Sequence, residues 1–244
     1  MKQIWKVLVN LWKASVELLF PLRCVVCDKP VVLKDGCACP ACEAGLKRVE
    51  SPFCLKCGKP IVDENIEYCK NCSKKRHLFE CGRALYEYDS VALSVYRFKY
   101  SGRAEYARFF GREMAKHLGP FIRQTKAEAL IPVPLSKKRL KTRGYNQAEL
   151  LAKEIGRALQ MPVYPQFVSR IKETVPQKEL NAFERQNNLK KAFKIVENDV
   201  KLSTIIVVDD IYTTGSTIDA LAEVLLEHGV RKIYFISLSV GTGV

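Results

Sequence analysis

Eight cysteines of this chain fall into two copies of one spacing. Cys24, Cys27, Cys39 and Cys42 read C-x2-C-x11-C-x2-C, and Cys54, Cys57, Cys69 and Cys72 repeat it thirty positions later. The flanks repeat too, since Asp28, Lys29, Pro30, Val31 and Val32 correspond to Gly58, Lys59, Pro60, Ile61 and Val62. A C-x2-C pair aims two thiolates at one ion, and two pairs complete a tetrahedral four-thiolate zinc site. Disulfides need no such doublets, so the spacing predicts up to two structural Zn2+ ions and a reducing, cytoplasmic setting. Segments this small fold around metal rather than around a core of their own. Cys37 and Cys81 are left over: the repeat selects Cys39 over Cys37, and Cys81 reads as a small buried apolar side chain.

Charge narrows the partners. The 244 residues carry 40 basic and 26 acidic side chains, a formal net charge of +14. Four thiolates around one divalent ion carry about −2, so two such sites leave about +10. The excess favours a polyanion, either nucleic acid or an anionic membrane surface. Residues 1–20 are largely apolar, but Lys6, Asn10, Lys13 and Glu17 interrupt the run. It is too broken for a signal peptide or a membrane span and fits an amphipathic helix through Ile4, Val7, Leu8, Leu11 and Trp12. Such a helix packs on its own protein or, with Trp5 and Trp12, docks on a membrane, peripherally at the inner one, or on a partner.

The expected organisation is a helix over residues 1–22, a double zinc module over 23–80 and an α/β domain over 81–244. In the last of these, strands are expected at 82–88, 126–133, 163–169, 192–196, 203–208 and 232–239. Helices are expected at 89–99, 102–118, 147–159 and 217–228. Strands alternating with helices imply a mostly parallel sheet covered on both faces, with ligands at the carboxyl ends of the strands.

One strand end carries chemistry. Ile205, Ile206, Val207 and Val208 make a buried parallel-type strand, followed by Asp209 and Asp210 and then Thr213, Thr214, Gly215, Ser216 and Thr217 where a helix begins. Backbone N–H groups, hydroxyls and the helix dipole converge there on an anion, while the two carboxylates accept hydrogen bonds from a diol. Together they suit a ribose 5-phosphate. After a second strand and Pro134 comes a basic loop with Lys137, Lys138, Arg139, Lys141 and Arg143. It would sit beside the phosphate turn and neutralise a pyrophosphate, or serve as a solvated or nucleic-acid-binding face. The run from Tyr96 to Arg103, with Phe98, Lys99 and Tyr100, interleaves aromatic and basic residues as a single-strand platform does, or as a half-buried helix does. Residues 170–188, with Arg170, Gln177, Arg185 and Asn188, read as a polar lid.

These segments together resemble the ComF (ComFC-like) family of amidophosphoribosyltransferase-related competence proteins over nearly the full length. The resemblance rests on Leu19-Phe20-Pro21 (read as Leu-Phe-Pro) before Cys24, the paired cysteine module and Phe98-Lys99-Tyr100. It also rests on Val133-Pro134-Leu135 with Arg139, Arg143-Gly144-Tyr145-Asn146-Gln147, the Gln177/Arg185/Asn188 loop and the 205–217 run. It implies a type I phosphoribosyltransferase fold behind a zinc module and a part in the uptake of single-stranded DNA, with components of the uptake machinery as partners. It also implies binding of 5-phosphoribosyl 1-pyrophosphate (PRPP) with Mg2+. The site expected from it has Asp209 and Asp210 on the ribose as the catalytic pair and residues 213–217 on the 5-phosphate. Lys137, Lys138 and Arg139 would lie on the pyrophosphate, and Lys99, Arg103, Lys141 and Arg143 on DNA. Turnover does not follow from a motif.

Overall fold

A computed structural model describes residues 5, 12, 21–31, 38–171, 192–196 and 200–241. The chain divides into two compact units, Met1–Leu46 and Lys47–Val244, so the two four-cysteine groups belong to different units. In chain order the elements are α1 (Pro40–Glu43), α2 (Lys70–Lys74), β1 (Gly82–Glu87), α3 (Tyr88–Tyr100), α4 (Tyr106–Gln124), β2 (Ala129–Pro132) and α5 (Lys137–Arg143). They continue with α6 (Gln147–Leu159), β3 (Val168–Arg170), β4 (Phe193–Ile195), β5 (Thr204–Tyr212), α7 (Ser216–Glu227) and β6 (Lys232–Val240).

The smaller unit is built on the first knuckle. The Cys24 N–H donates to Lys29 O at 2.9 Å, the Asp28 N–H donates to Cys24 O at 2.9 Å, and Arg23 bridges Pro30. The larger unit repeats this thirty residues on: Cys54 N–H to Lys59 O at 2.8 Å, Gly58 N–H to Cys54 O at 2.8 Å, and Phe53 bridging Pro60. Asp28 and Gly58 both take left-handed backbone, φ 61° and 71°, which closes each knuckle. The expected helix over 1–22 lies almost wholly outside the described residues; Trp5 and Trp12 are helical and exposed.

The larger unit holds a four-stranded parallel sheet in the order β1-β6-β5-β2. Ile205, Ile206, Val207 and Val208 are all fully buried, which a strand achieves only when both faces of its sheet are covered. Ile205 and Val207 join Ile131, Ile233 and Phe235 in one cluster with Ile218, Leu221 and Leu225 of α7. Cys54, Cys57 and Phe79 belong to that same cluster. The second zinc knuckle thus packs into the sheet's own core. Phe79 meets Phe235 edge-on at 4.9 Å, and Phe235 stacks on Tyr212 at 4.5 Å.

Two departures from the sequence reading matter for the site. β5 does not end at Val208 but runs to Tyr212, because Asp209, Ile211 and Tyr212 keep their register opposite Ser237, Ser239 and Val240 of β6. β2 stops at Pro132 opposite Val208, so the last four residues of β5 have a strand on one side only. Secondly, the basic segment expected as a loop is the helix α5. Ser136 Oγ accepts the Arg139 N–H at 3.4 Å at its start, and Gly144, at φ 80°, closes its end. Among smaller differences, α4 starts at Tyr106 and continues to Gln124, and Val163 bridges Leu130 as an isolated pair before β3 begins at Val168. Most of the expected 170–188 lid lies outside the described residues.

Candidate functional site

Asp209 and Asp210 stand in the part of β5 that β2 leaves uncovered. The Asp210 N–H donates to Asp209 Oδ1 at 2.8 Å, and Ser239 Oγ donates to Asp210 O at 3.3 Å, which fixes the pair against β6. Lys99 Nζ lies 3.0 Å from Asp210 Oδ2, with only 15% of its side chain exposed. The Asp209 carboxyl is pushed up to about 7, first by withdrawal from water and then by the Asp210 charge, against the pull of Lys99 and Arg170. A cation or a hydroxyl donor at the site would favour its ionised form.

A chain of buried contacts delivers Lys99 to this place. Tyr145 Oη donates to Phe98 O at 2.7 Å, and Gln147 Nε2 donates to the same carbonyl at 3.1 Å. Asn146 Nδ2 donates to Val133 O at 3.0 Å while its Oδ1 caps α6 by accepting the Ala148 N–H at 3.2 Å. The Arg143-to-Gln147 segment is therefore the corner that holds the end of α3 against the exit of β2. Arg143 lies over the Tyr100 ring at 4.9 Å and donates to Tyr100 Oη at 3.1 Å and to Gln147 Oε1 at 3.0 Å. Arg103 lies 3.8 Å from Glu105. Lys137, Lys138, Arg139 and Lys141 are exposed on α5. This helix leaves β2 where the Val133 N–H still bonds Val208 O at 2.9 Å, one residue short of Asp209.

The turn after β5 leads into α7. Gly215 takes φ +78° and caps the helix, no side chain bonds its first N–H groups, and Thr214 Oγ1 lies 3.0 Å from Ser216 Oγ. An open helix start flanked by hydroxyls accommodates an anion. Gly215 also has no room for a side chain: a Cβ there would stand 2.7 Å from Tyr212 Oη and 2.8 Å from His77 Cε1.

His77 marks a contact that sequence reasoning missed. Asp219, in the first turn of α7, accepts from Lys75 Nζ at 2.7 Å, His77 Nδ1 at 2.9 Å and the Leu78 N–H at 3.1 Å, and Asn71 Nδ2 reaches Thr214 O at 3.4 Å. The second cysteine ribbon thereby grips the turn that holds Thr213 to Thr217. Burial opposes ionisation of Asp219, but the bonds from His77 and Lys75 outweigh it and hold its carboxyl below the usual range. No local signal announces this clamp, because its partners lie more than 140 residues apart in sequence.

Both four-cysteine groups fit zinc. Within each group the sulfurs lie within 4.8 Å of one another, with Cys24 and Cys39 at 3.8 Å and Cys57 and Cys69 at 3.7 Å. Tetrahedral Zn–S bonds of about 2.3 Å require sulfurs about 3.8 Å apart. In the second group Cys57 donates to Cys54 and draws its thiol down to about 4. Burial opposes ionisation of Cys24, yet backbone N–H groups of Cys27, Cys39 and Val26 bring it to about 6. No disulfide joins any of the nine described cysteines, and burial raises the Cys81 thiol. Among the described residues no helix is long and apolar enough to cross a membrane.

Known proteins share these features. Residues 15–73 match the family model of the double zinc ribbon domain, and residues 140–239 match that of the phosphoribosyl transferase domain. The chain is 31% identical over 224 residues to "Competence protein F" of Haemophilus influenzae, covering 88% of this chain and 95% of that protein. It is 29% identical over 220 residues to "DNA utilization protein YhgH" of Escherichia coli K12, covering 88% of this chain and 96% of that one. It is also 29% identical over 234 residues to "Competence protein ComFC" of Bacillus subtilis, covering 85% and 90%.

Proposed function

The chain belongs to the ComF family, and we propose that it binds PRPP at the end of β5 and supports the handling of single-stranded DNA during natural transformation. The observation that carries this reading is the meeting of three features on one strand end. These are the Asp209/Asp210 pair, the Lys99 ammonium 3.0 Å from Asp210, and the start of α7, whose first N–H groups no side chain caps. A ribose 5-phosphate spans that arrangement, with its hydroxyls on the carboxylates and its phosphate on residues 213–217. Lys99 and the exposed lysines and arginine of α5 then face the pyrophosphate. Mg2+ suits the carboxylate pair and would neutralise the pyrophosphate. The relatives' printed names, competence and DNA utilization, support the DNA part of the reading, as does the basic charge. The inner face of the cytoplasmic membrane, beside the uptake machinery, is the expected place of work.

Phosphoribosyl transfer is the second reading, favoured by the carboxylate pair. A site that no longer engaged a ribose would gain nothing from two adjacent carboxylates in the part of β5 that β2 leaves uncovered. Pyrophosphate release from PRPP, measured with and without single-stranded DNA, tests both. PRPP binding without release supports the binding protein. Release stimulated by DNA or by an added amine supports the transferase. No PRPP binding under either condition overturns both.

A further inference from the structure

Beside the second ribbon lies an open cavity of about 900 Å³, lined by residues between Lys56 and Glu80. Its lining includes Lys56, Lys74, Lys75 and Arg76, with Glu80 as the one carboxylate. Tyr68 and Leu78, 46% and 45% exposed, supply its apolar surface. We infer that this groove is where single-stranded DNA lies on the protein, an inference that deepens the DNA-handling reading above and rests on it.

The local structure explains why several cations gather here. α2 ends at Lys74, and Lys75 leaves it in extended backbone, with the segment that follows fixed at both ends. Cys72 belongs to the four-sulfur group, and the Leu78 N–H is bonded to Asp219. Lys74, Lys75 and Arg76 follow one another in this anchored segment, and all three are exposed. Lys56 lines the same cavity and lies over the Phe79 ring at 5.3 Å. A backbone of regularly spaced phosphates matches cations in a row, whereas a small anion would need buried polar groups converging on one point. An exposed tyrosine in the same groove offers an unpaired base a stacking surface, which a paired duplex could not use. The groove also borders the phosphate turn, since Lys75 is shared between it and Asp219 at 2.7 Å.

The test compares two charge reversals in the full zinc-loaded chain, read by fluorescence anisotropy with a short labelled oligothymidylate. Lys74→Glu with Arg76→Glu is expected to lower affinity at least tenfold at low salt. It should also flatten the slope of log K against log salt by about 1.4, two contacts at about 0.7 each. Tyr68→Ala is expected to lower affinity roughly fivefold or more with the slope unchanged. Zinc content and PRPP binding should stay at wild-type levels, which separates a lost contact from a lost fold. If the reversal loses zinc, Tyr68→Ala decides: weaker binding supports the groove, unchanged binding overturns it. The inference is overturned if the groove variants bind as wild type does while Lys137→Glu, Lys138→Glu and Lys141→Glu together abolish binding. If the wild-type chain binds no single-stranded DNA at low salt, the DNA-handling reading falls along with the groove, whereas the previous outcome leaves that reading standing.

Discussion

Replacing Asp219 by alanine tests whether the second ribbon supports the phosphate turn. The carboxylate only accepts hydrogen bonds, so Lys75, His77 and Leu78 all donate to it, and His77 carries its hydrogen on Nδ1. The His77 side chain is fully buried, and its Nε2 has no hydrogen-bond partner. Asp219→Ala therefore leaves the whole ring unpaired. Bonds from His77 and the Leu78 N–H to a charged acceptor are worth about 1.5 kcal/mol each. Lys75, with 41% of its side chain exposed, adds only about 0.5 kcal/mol after screening. The expected loss is about 3.5 kcal/mol, which lowers the Tm of a unit this size by about 7–14 °C. PRPP affinity should fall about tenfold, because Asn71 and His77 then hold the turn less firmly. Asp219→Asn keeps one acceptor oxygen and should lose about half as much stability. The pH sign follows from the lowered carboxyl of Asp219. Its contribution is present above the usual carboxylate value of about 4 and is lost as pH falls through the lower folded value. Differential scanning fluorimetry and calorimetric PRPP titration read both effects. An Asp219→Ala variant that melts and binds as wild type does would refute the clamp.

Elemental analysis should find two zinc ions per chain. Cys24→Ser and Cys54→Ser should each remove one, but only Cys54→Ser should lower the melting temperature of the larger unit, because Cys54 lies in that unit's core. PRPP binding should weaken as pH drops below about 7, by at most tenfold per pH unit, because the Asp209 carboxyl takes up a proton there. Asp209→Asn should abolish that dependence. Stability of the free protein should move the other way: between about 4 and about 7 the folded chain keeps a proton that the unfolded chain has released, so this contribution fades as pH rises.

How much of this the sequence shows depends on the range of the interaction. The strands of the parallel sheet are visible in runs such as Ile205 to Val208, because burial on both faces demands unbroken β-branched residues. The knuckles are visible because metal geometry fixes ligand spacing locally, down to the shared left-handed turn at Asp28 and Gly58. The extension of β5 through Asp209 and Asp210 is not visible, since two carboxylates read as a strand end unless the partner strand is known to continue opposite them. Helix α5 was signalled by Ser136 and Gly144 at its two ends, but seven mostly charged residues after a proline look like a loop when no apolar face marks the helix. Lys99 reads as part of a DNA platform from its neighbours. Its ion pair with Asp210 depends on Tyr145 and Gln147 holding Phe98 from 47 and 49 residues away.

The central claim is that the strand end at Asp209 and Asp210 is a PRPP site, and calorimetry with Mg2+ and PRPP tests it most directly. The account predicts one site per chain in the wild type and a loss of roughly 1–3 kcal/mol in binding for each carboxylate in Asp209→Asn/Asp210→Asn, with the fold and zinc content retained. Wild-type affinity in the double variant, or no PRPP binding by the wild-type chain, would contradict it.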